Sequence, residues 1–182
     1  IDLITFPSLN FNLTINSLEF LEKISQKYSC YISLGLYNFG NFFKTKKNLI
    51  YLLISPYGEL FNSKDDNFLR VDTRIGSIVF PDSEAHSGHH YWSSFFGADI
   101  IIYNDFSHSK HLINSFLNKK ENDKSFLIYS SHFSSSFKEG TTIFGRKNEI
   151  VTQASSVLDQ GIIGHLNFSN NRQINQLGGE FV

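Results

Sequence analysis

The side chains that could act as metal ligands in this chain are concentrated between positions 82 and 90. His86 with His89 or His90 has a spacing that could chelate a metal ion, and Asp82 or Glu84 could add a carboxylate ligand. A metal-binding module built on this loop is therefore one candidate function. No strict metal-binding motif is present, so the simpler interpretation is a surface loop of histidines without a ligand, and we expect no cofactor.

Two other residues could act as nucleophiles. Cys30, the single cysteine, follows Tyr28-Ser29 in an apolar run and has no basic residue nearby in sequence. That setting indicates an inert, buried thiol. Ser83 stands beside Asp82, but no histidine occupies a recognisable relay position. We therefore interpret Asp82 and Ser83 as residues that cap or hydrogen-bond the loop after a strand.

The composition is that of one globular domain spanning residues 1–182. Apolar residues make up 41% of the chain and charged residues 18%, which argues against a disordered segment. The net charge of -1 offers no field that would attract nucleic acid or an anionic membrane. No apolar run approaches the ~20 residues of a membrane span, and no signal peptide is visible. The single cysteine excludes an internal disulfide and fits a reducing compartment, so we expect a cytoplasmic protein.

The hydrophobic pattern predicts alternating strands and helices, which favours a layered α/β fold. Asn16 and Glu19 are spaced as a capping box and apolar residues follow at helical spacing, so a helix is predicted over residues 17–28. A second helix is predicted over residues 109–122, and a turn at Ser55–Gly58. Strands are predicted at residues 3–6, 30–36, 49–54, 75–80, 98–103, 126–129, 141–144, 150–153 and 162–167.

Several segments, in order along the chain, resemble the carbon–nitrogen hydrolase (nitrilase) superfamily. The most telling is Arg74–Ser83, R-I-G-S-I-V-F-P-D-S, which is similar to the family's nucleophile strand, R-I-G-x-x-I-C-Y-D-S. The shared order of the segments makes the resemblance more specific than any one motif, and it covers nearly the whole chain. The other similar segments are residues 2–8, 48–59, 97–100, 121–122, 139–151 and 161–163.

The resemblance implies a four-layer α-β-β-α sandwich, in which two mixed sheets face each other and helices lie outside. The chain begins at what resembles the family's second strand, so we expect the first strand and helix to be missing. The family's segment before the nucleophile strand is expected to be shortened to little more than Leu69–Thr73. Family members commonly pair subunits through outer helices, and an unpaired sheet edge invites another strand. We therefore expect a homo-oligomer or a heteromeric protein partner.

The family's chemistry uses a Glu base, a Lys that stabilises the oxyanion and a Cys nucleophile. By position, these three roles fall on Ser8, Asp66 and Phe80. A hydroxyl is a weak base near neutral pH, and a carboxylate would repel a developing oxyanion. A phenyl ring has no lone pair with which to attack a carbon. Lys64 lies two residues before Asp66, so a shift in register could restore that positive charge.

The resemblance therefore predicts a degenerate carbon–nitrogen hydrolase-like domain, a pseudoenzyme with a structural role or a role in binding a ligand or partner. The vestigial pocket would contain Ser8, Lys64, Phe80, Asp82 and Ser83. We expect Ser8, Asp66 or Lys64, and Phe80 to converge at one end of the facing sheets. One alternative is an active amide hydrolase that uses displaced residues such as Lys64. The other alternative is the metal-binding module of the histidine loop.

Overall fold

The computed structural model describes residues 1–7, 15–38, 48–63, 69–81, 97–105, 125–131, 141–145, 149–154 and 162–168. Within these residues the chain forms the helix α1 (Ile15–Tyr28) and two β-sheets. The first sheet has the order β1-β2-β3-β4 and the second the order β10-β9-β8-β7-β6-β5. The strands are β1 (Leu3–Thr5), β2 (Tyr31–Asn38), β3 (Asn48–Ile54), β4 (Leu60–Asn62), β5 (Leu69–Thr73), β6 (Gly76–Phe80), β7 (Ile100–Asp105), β8 (Phe126–Ser131), β9 (Thr142–Phe144) and β10 (Ile150–Gln153).

Both sheets are mixed. In the first sheet β1 runs parallel to β2, whereas β3 and β4 continue in antiparallel pairs. In the second sheet β6, β7 and β8 are parallel neighbours, flanked by antiparallel β5 on one side and by β9 and β10 on the other. Because parallel strands point the same way, the carboxyl ends of β6, β7 and β8 lie side by side.

The two sheets pack face to face around one apolar core. The first sheet contributes Tyr31, Tyr51 and Leu53 to this core. Side chains alternate between the two faces of a strand, so these positions identify the inner face of each sheet. The inner residues of the second sheet are Val71, Ile78, Phe80, Ile100, Ile102, Ile128 and Ile143.

Helix α1 covers the outer face of the first sheet. Leu18, Leu21 and Ile24 recur at helical spacing and pack against a buried cluster that includes Ile32. The helix ends in two backbone hydrogen bonds, from Ser29 N to the Gln26 carbonyl and from Cys30 N to the Ser25 carbonyl. Ser29 has a φ of 50°, so this is a Schellman motif that turns the chain into β2.

The outer face of the second sheet is also buried. Val79, Ile101 and Leu127 lie on this face and are 0%, 0% and 2% exposed. The sheet is therefore covered on both sides, as the apolar run at 100–103 within the predicted strand 98–103 indicates. The α/β fold class and the layered arrangement inferred from the resemblance are confirmed.

Most predicted elements are present, with differences that have a physical reason. The helix predicted over 17–28 and eight of the nine predicted strands are found, with ends shifted by one or two residues. The strand predicted at 162–167 is wrong, because these residues do not pair as a strand. Ile162 and Leu166 instead pack against the inter-sheet core, which produces the same alternation of apolar and polar residues. The helix predicted over 109–122 lies outside the described residues.

The β5–β6 hairpin connects the two sheets at one end of the sandwich. Arg74 in its turn donates from its backbone N to the Tyr31 hydroxyl at 3.3 Å, and its guanidinium donates to the Ser29 carbonyl. Neither β4 nor β5 was predicted. β4 is only 3 residues long, and β5 alternates apolar with polar residues but is recognised by its pairing with β6.

No helix in the described part of the chain has the length and apolarity needed to cross a membrane.

Candidate functional site

One end of the sandwich gathers the carboxyl ends of strands from both sheets. At the opposite end, Arg74 at the start of β6 contacts Tyr31 at the start of β2. Further along, Phe80 at the end of β6 packs against Tyr51, which pairs with Gly35, the fifth of the 8 residues of β2. β2 and β6 therefore run in the same direction. Ligands of α/β sheets bind beyond the carboxyl ends of the strands, so this carboxyl end is the candidate site.

Phe80 lies at the floor of this site. Its side chain is 0% exposed and belongs to the inter-sheet core. The ring centroid lies 5.3 Å from that of Tyr51, and the two ring planes are inclined by 31°. Separations in this range are typical of favourable aromatic pairs. The position is thus filled by packing between the sheets, and its side chain can neither transfer a proton nor attack a carbon.

The other predicted site residues lie outside the described residues. Their described neighbours show where the chain leaves each strand. Phe6, two residues before Ser8, donates from its backbone N to the Ser33 carbonyl at 2.9 Å. Ser63, which precedes Lys64, donates from its N to the Tyr51 carbonyl at 3.1 Å. The convergence predicted for Ser8, Asp66 or Lys64, and Phe80 stays a prediction. The predicted site residues that lie outside the described part of the chain are Ser8, Lys64, Asp66, Asp82, Ser83, Glu84, His86, His89 and His90.

Two polar residues that the sequence did not reveal lie at the carboxyl ends of β7 and β8. Asn104 and Ser130 are register partners on these neighbouring parallel strands. They are 1% and 0% exposed. Among the described residues, neither the two polar atoms of the Asn104 amide nor the Ser130 hydroxyl has a hydrogen-bond partner.

Both residues face the inside of the sandwich. Ile100 and Ile102 are inner residues of β7, so alternation places Asn104 on the same face. Ile128 is an inner residue of β8, so alternation places Ser130 on the inner face as well. In the sequence, Asn104 and Ser130 each stand two residues after an apolar residue that faces inward. The sequence does not show whether the strand continues that far, so it does not show that these two residues face inward as well.

A buried polar group without a partner lowers stability by about 1–3 kcal/mol, so such groups are rare in native proteins. Asn104 and Ser130 present three of them side by side at the carboxyl ends of β7 and β8. This concentration marks the carboxyl end as a place where polar ligand atoms would be favourable.

The described inner surface carries no charge. No Asp, Glu, Lys, Arg or His is buried in the described part of the chain. The Arg70–Asp72 ion pair, with an N–O distance of 3.1 Å, lies on the outer face of β5, because Val71 between them faces the core. The described floor of the site is therefore neutral, with hydrogen-bonding groups that both donate and accept.

Comparison with known proteins shows which fold this is. No protein-family model matches the sequence, and no curated protein matches it. A carbon-nitrogen hydrolase from Helicobacter pylori G27 matches in structure with a TM-score of 0.69 at 12% identity, over 97% of this chain and 80% of that chain. The chain has the nitrilase-superfamily fold.

Two further structures with the nitrilase fold match comparably well. A mutant of the Nesterenkonia AN1 amidase has a TM-score of 0.64 at 10% identity, over 85% of this chain and 74% of its own. Nit3 from Saccharomyces cerevisiae has a TM-score of 0.62 at 12% identity, over 85% of this chain and 73% of its own. At such identities the likeness establishes the fold, and activity has to be argued from the residues of this chain.

Cys30 lies away from the carboxyl end of the nitrilase fold. It is 0% exposed and packs on the outer face of the first sheet, beneath α1. Burial raises the pKa of its thiol, which disfavours the thiolate needed for nucleophilic attack. Its backbone carbonyl accepts a hydrogen bond from the Ser25 hydroxyl at 3.0 Å. The interpretation of Cys30 as an inert buried thiol agrees with this position.

The described residues include no group of three or more His, Cys, Asp or Glu side chains that could hold a metal ion. The candidate ligands His86, His89 and His90 lie outside that part of the chain. The metal-binding alternative therefore stays a prediction of the sequence.

Proposed function

We propose that this carbon–nitrogen hydrolase-like domain does not hydrolyse C–N bonds and acts as a structural or binding module. The observation that carries the proposal is the Phe80 side chain, which is fully buried between the sheets against Tyr51. By sequence position, Phe80 stands where the family has its nucleophile. A buried phenyl ring there supplies packing energy and offers no lone pair for covalent catalysis.

The position of Cys30 supports the same proposal. In a mutant of the Nesterenkonia amidase, the acetamide moiety of fluoroacetamide is added covalently at the active-site cysteine. The single cysteine of this chain lies beneath α1, on the face of the first sheet that points away from Phe80. A substrate bound between the sheets would therefore be separated from the Cys30 thiol by the thickness of a sheet.

A turnover assay tests the proposal. We expect the full chain to release no ammonia from a panel of aliphatic and aromatic amides and nitriles beyond the rate without protein. The reason is that the nucleophile position is occupied by Phe80, and its basic and cationic neighbours in the family fall on Ser8 and Asp66. Release of ammonia that persists through repurification and disappears in Cys30→Ala or Lys64→Ala would instead support the hydrolase with displaced residues.

A binding role could include another protein chain. Within the described sheets, β1 is an edge strand that pairs with β2. Edge strands offer backbone donors and acceptors that a partner strand can use. We propose that the domain associates with an identical or different chain, with a total buried area above about 1,000 Å².

Light scattering on the full chain is expected to give a mass above 20.9 kDa, the mass of one copy. A clean monomer at micromolar concentration would rule out the homo-oligomer.

A further inference from the structure

We infer that Asn104 and Ser130 form a neutral polar subsite that binds a hydroxyl oxygen between the two sheets. The oxygen comes either from an internal water molecule or from a small neutral alcohol. The inference deepens the proposed binding role. If the bound oxygen belongs to an alcohol, the inference rests on that role. If the bound oxygen is a water molecule, the inference does not depend on that role, because a pseudoenzyme and an active enzyme could both hold a structural water there.

The placement of the two side chains carries the inference. They are register partners on adjacent parallel strands and share the inner face of the second sheet. Adjacent strands lie about 4.8 Å apart. One oxygen about 2.8–3.0 Å from each side chain can therefore bridge them without any movement of the backbone. Asn104 and Ser130 thus form a pair with the spacing that a single bridging oxygen requires.

The unmet hydrogen bonds supply the second observation. Among the described residues, Asn104 Nδ2, Asn104 Oδ1 and Ser130 Oγ have no partner although all three atoms are buried. A buried water is typically held by two to four polar partners, and this pair supplies two, the Asn104 amide and the Ser130 hydroxyl. The buried serine at the start of the same strand differs, because Ser125 donates from its hydroxyl to the Ala98 carbonyl at 2.7 Å.

The chemistry of the pair selects a neutral ligand. The Asn104 amide donates from its nitrogen and accepts at its oxygen, and the Ser130 hydroxyl does both. A hydroxyl oxygen can use either kind of partner. A carboxylate could only accept and so could not bond to the Asn104 oxygen. A carboxylate or phosphate would also bring an uncompensated charge into a site without a buried cation among the described residues. The subsite therefore favours water or an alcohol over an anion.

Nuclear magnetic resonance on the full chain labelled with ¹⁵N tests the inference. We expect the Asn104 side-chain amide protons to show cross-relaxation to a long-lived water, and we expect that signal to be lost in Ser130→Ala. The matched control is Ser125→Ala, which removes a buried serine that already has a partner and should leave the signal in place. The probes for a ligand are ethylene glycol and, as its anionic counterpart, glycolate.

Each outcome bears on the inference. A water signal that ethylene glycol displaces saturably, and glycolate does not, supports an alcohol subsite. A water signal that neither probe displaces supports a structural water and removes this pair from the proposed ligand-binding role. A dry pair, with no water signal and no shift on addition of either probe, overturns the inference. In that case Asn104→Leu should also raise the denaturation midpoint, because it would remove unmet polar atoms.

Discussion

Phe80→Ala is expected to lower the free energy of unfolding by about 3–5 kcal/mol. The ring is fully buried and contacts Tyr51 across the interface between the sheets. Truncation removes apolar burial and leaves a cavity that two sheets fixed by their own hydrogen bonds cannot fill completely. The loss should be measured by equilibrium denaturation in urea, where the midpoint falls while the slope of the transition stays constant.

Phe80→Leu is the matched control, because it keeps most of the volume and is expected to lower the free energy of unfolding by less than about 1.5 kcal/mol. A loss below about 1 kcal/mol for Phe80→Ala would show that the ring does not support the core. The same data bear on function. A large loss would mean that this position, where the family has its nucleophile, serves packing in this chain.

Gly76→Ala is expected to lower the free energy of unfolding by about 3–5 kcal/mol. Gly76 has a φ of +124°, and an added Cβ would lie 2.9 Å from both Cβ and Oδ2 of Asp99. Asp99 cannot move away freely, because its Oδ2 accepts a hydrogen bond from Ser77 N at 2.9 Å. Its backbone also accepts from Phe126 N and donates to the Ser77 carbonyl, and both distances are 2.9 Å. The substitution would therefore disturb the starts of β6, β7 and β8 together.

Gly97→Ala separates the backbone effect from the steric effect. Gly97 also has a positive φ, of +68°, but no atom lies within 4 Å of its added Cβ. We expect this variant to lose only the conformational part, about 1–2 kcal/mol. Equal losses for the two glycines in the same urea titration would contradict the role assigned to Asp99. If Gly76→Ala is too unstable for a urea titration at room temperature, the two variants can be compared by thermal denaturation from low temperature. The thermal midpoint of Gly76→Ala is then expected to lie below that of Gly97→Ala.

Local patterns in the sequence predicted most of the secondary structure. The apolar spacing from Leu18 onward is sufficient to predict α1, because a helix is stabilised by residues near one another in sequence. The N-cap predicted at Asn16 is wrong, because the helix begins at Ile15 and Asn16 lies within it. The predicted strand at 98–103 contains the apolar run 100–103, which indicates a strand buried on both faces. Leu69–Thr73 was not predicted as a strand, although its apolar and polar residues alternate as those of a half-buried strand do. Its pairing with β6 is visible only in the sheet.

The sequence by itself determined the layered α/β class, the positions of most strands and the absence of a reactive side chain at position 80. These properties depend on residue type and on near neighbours, which a sequence displays directly. Only the tertiary structure decided that Phe80 packs against Tyr51, that Cys30 lies behind the first sheet, and that Asn104 and Ser130 meet on one inner face. Each of these relations joins residues from different elements. Sheet register and sheet packing set those distances, and neither is encoded by any single segment of the chain.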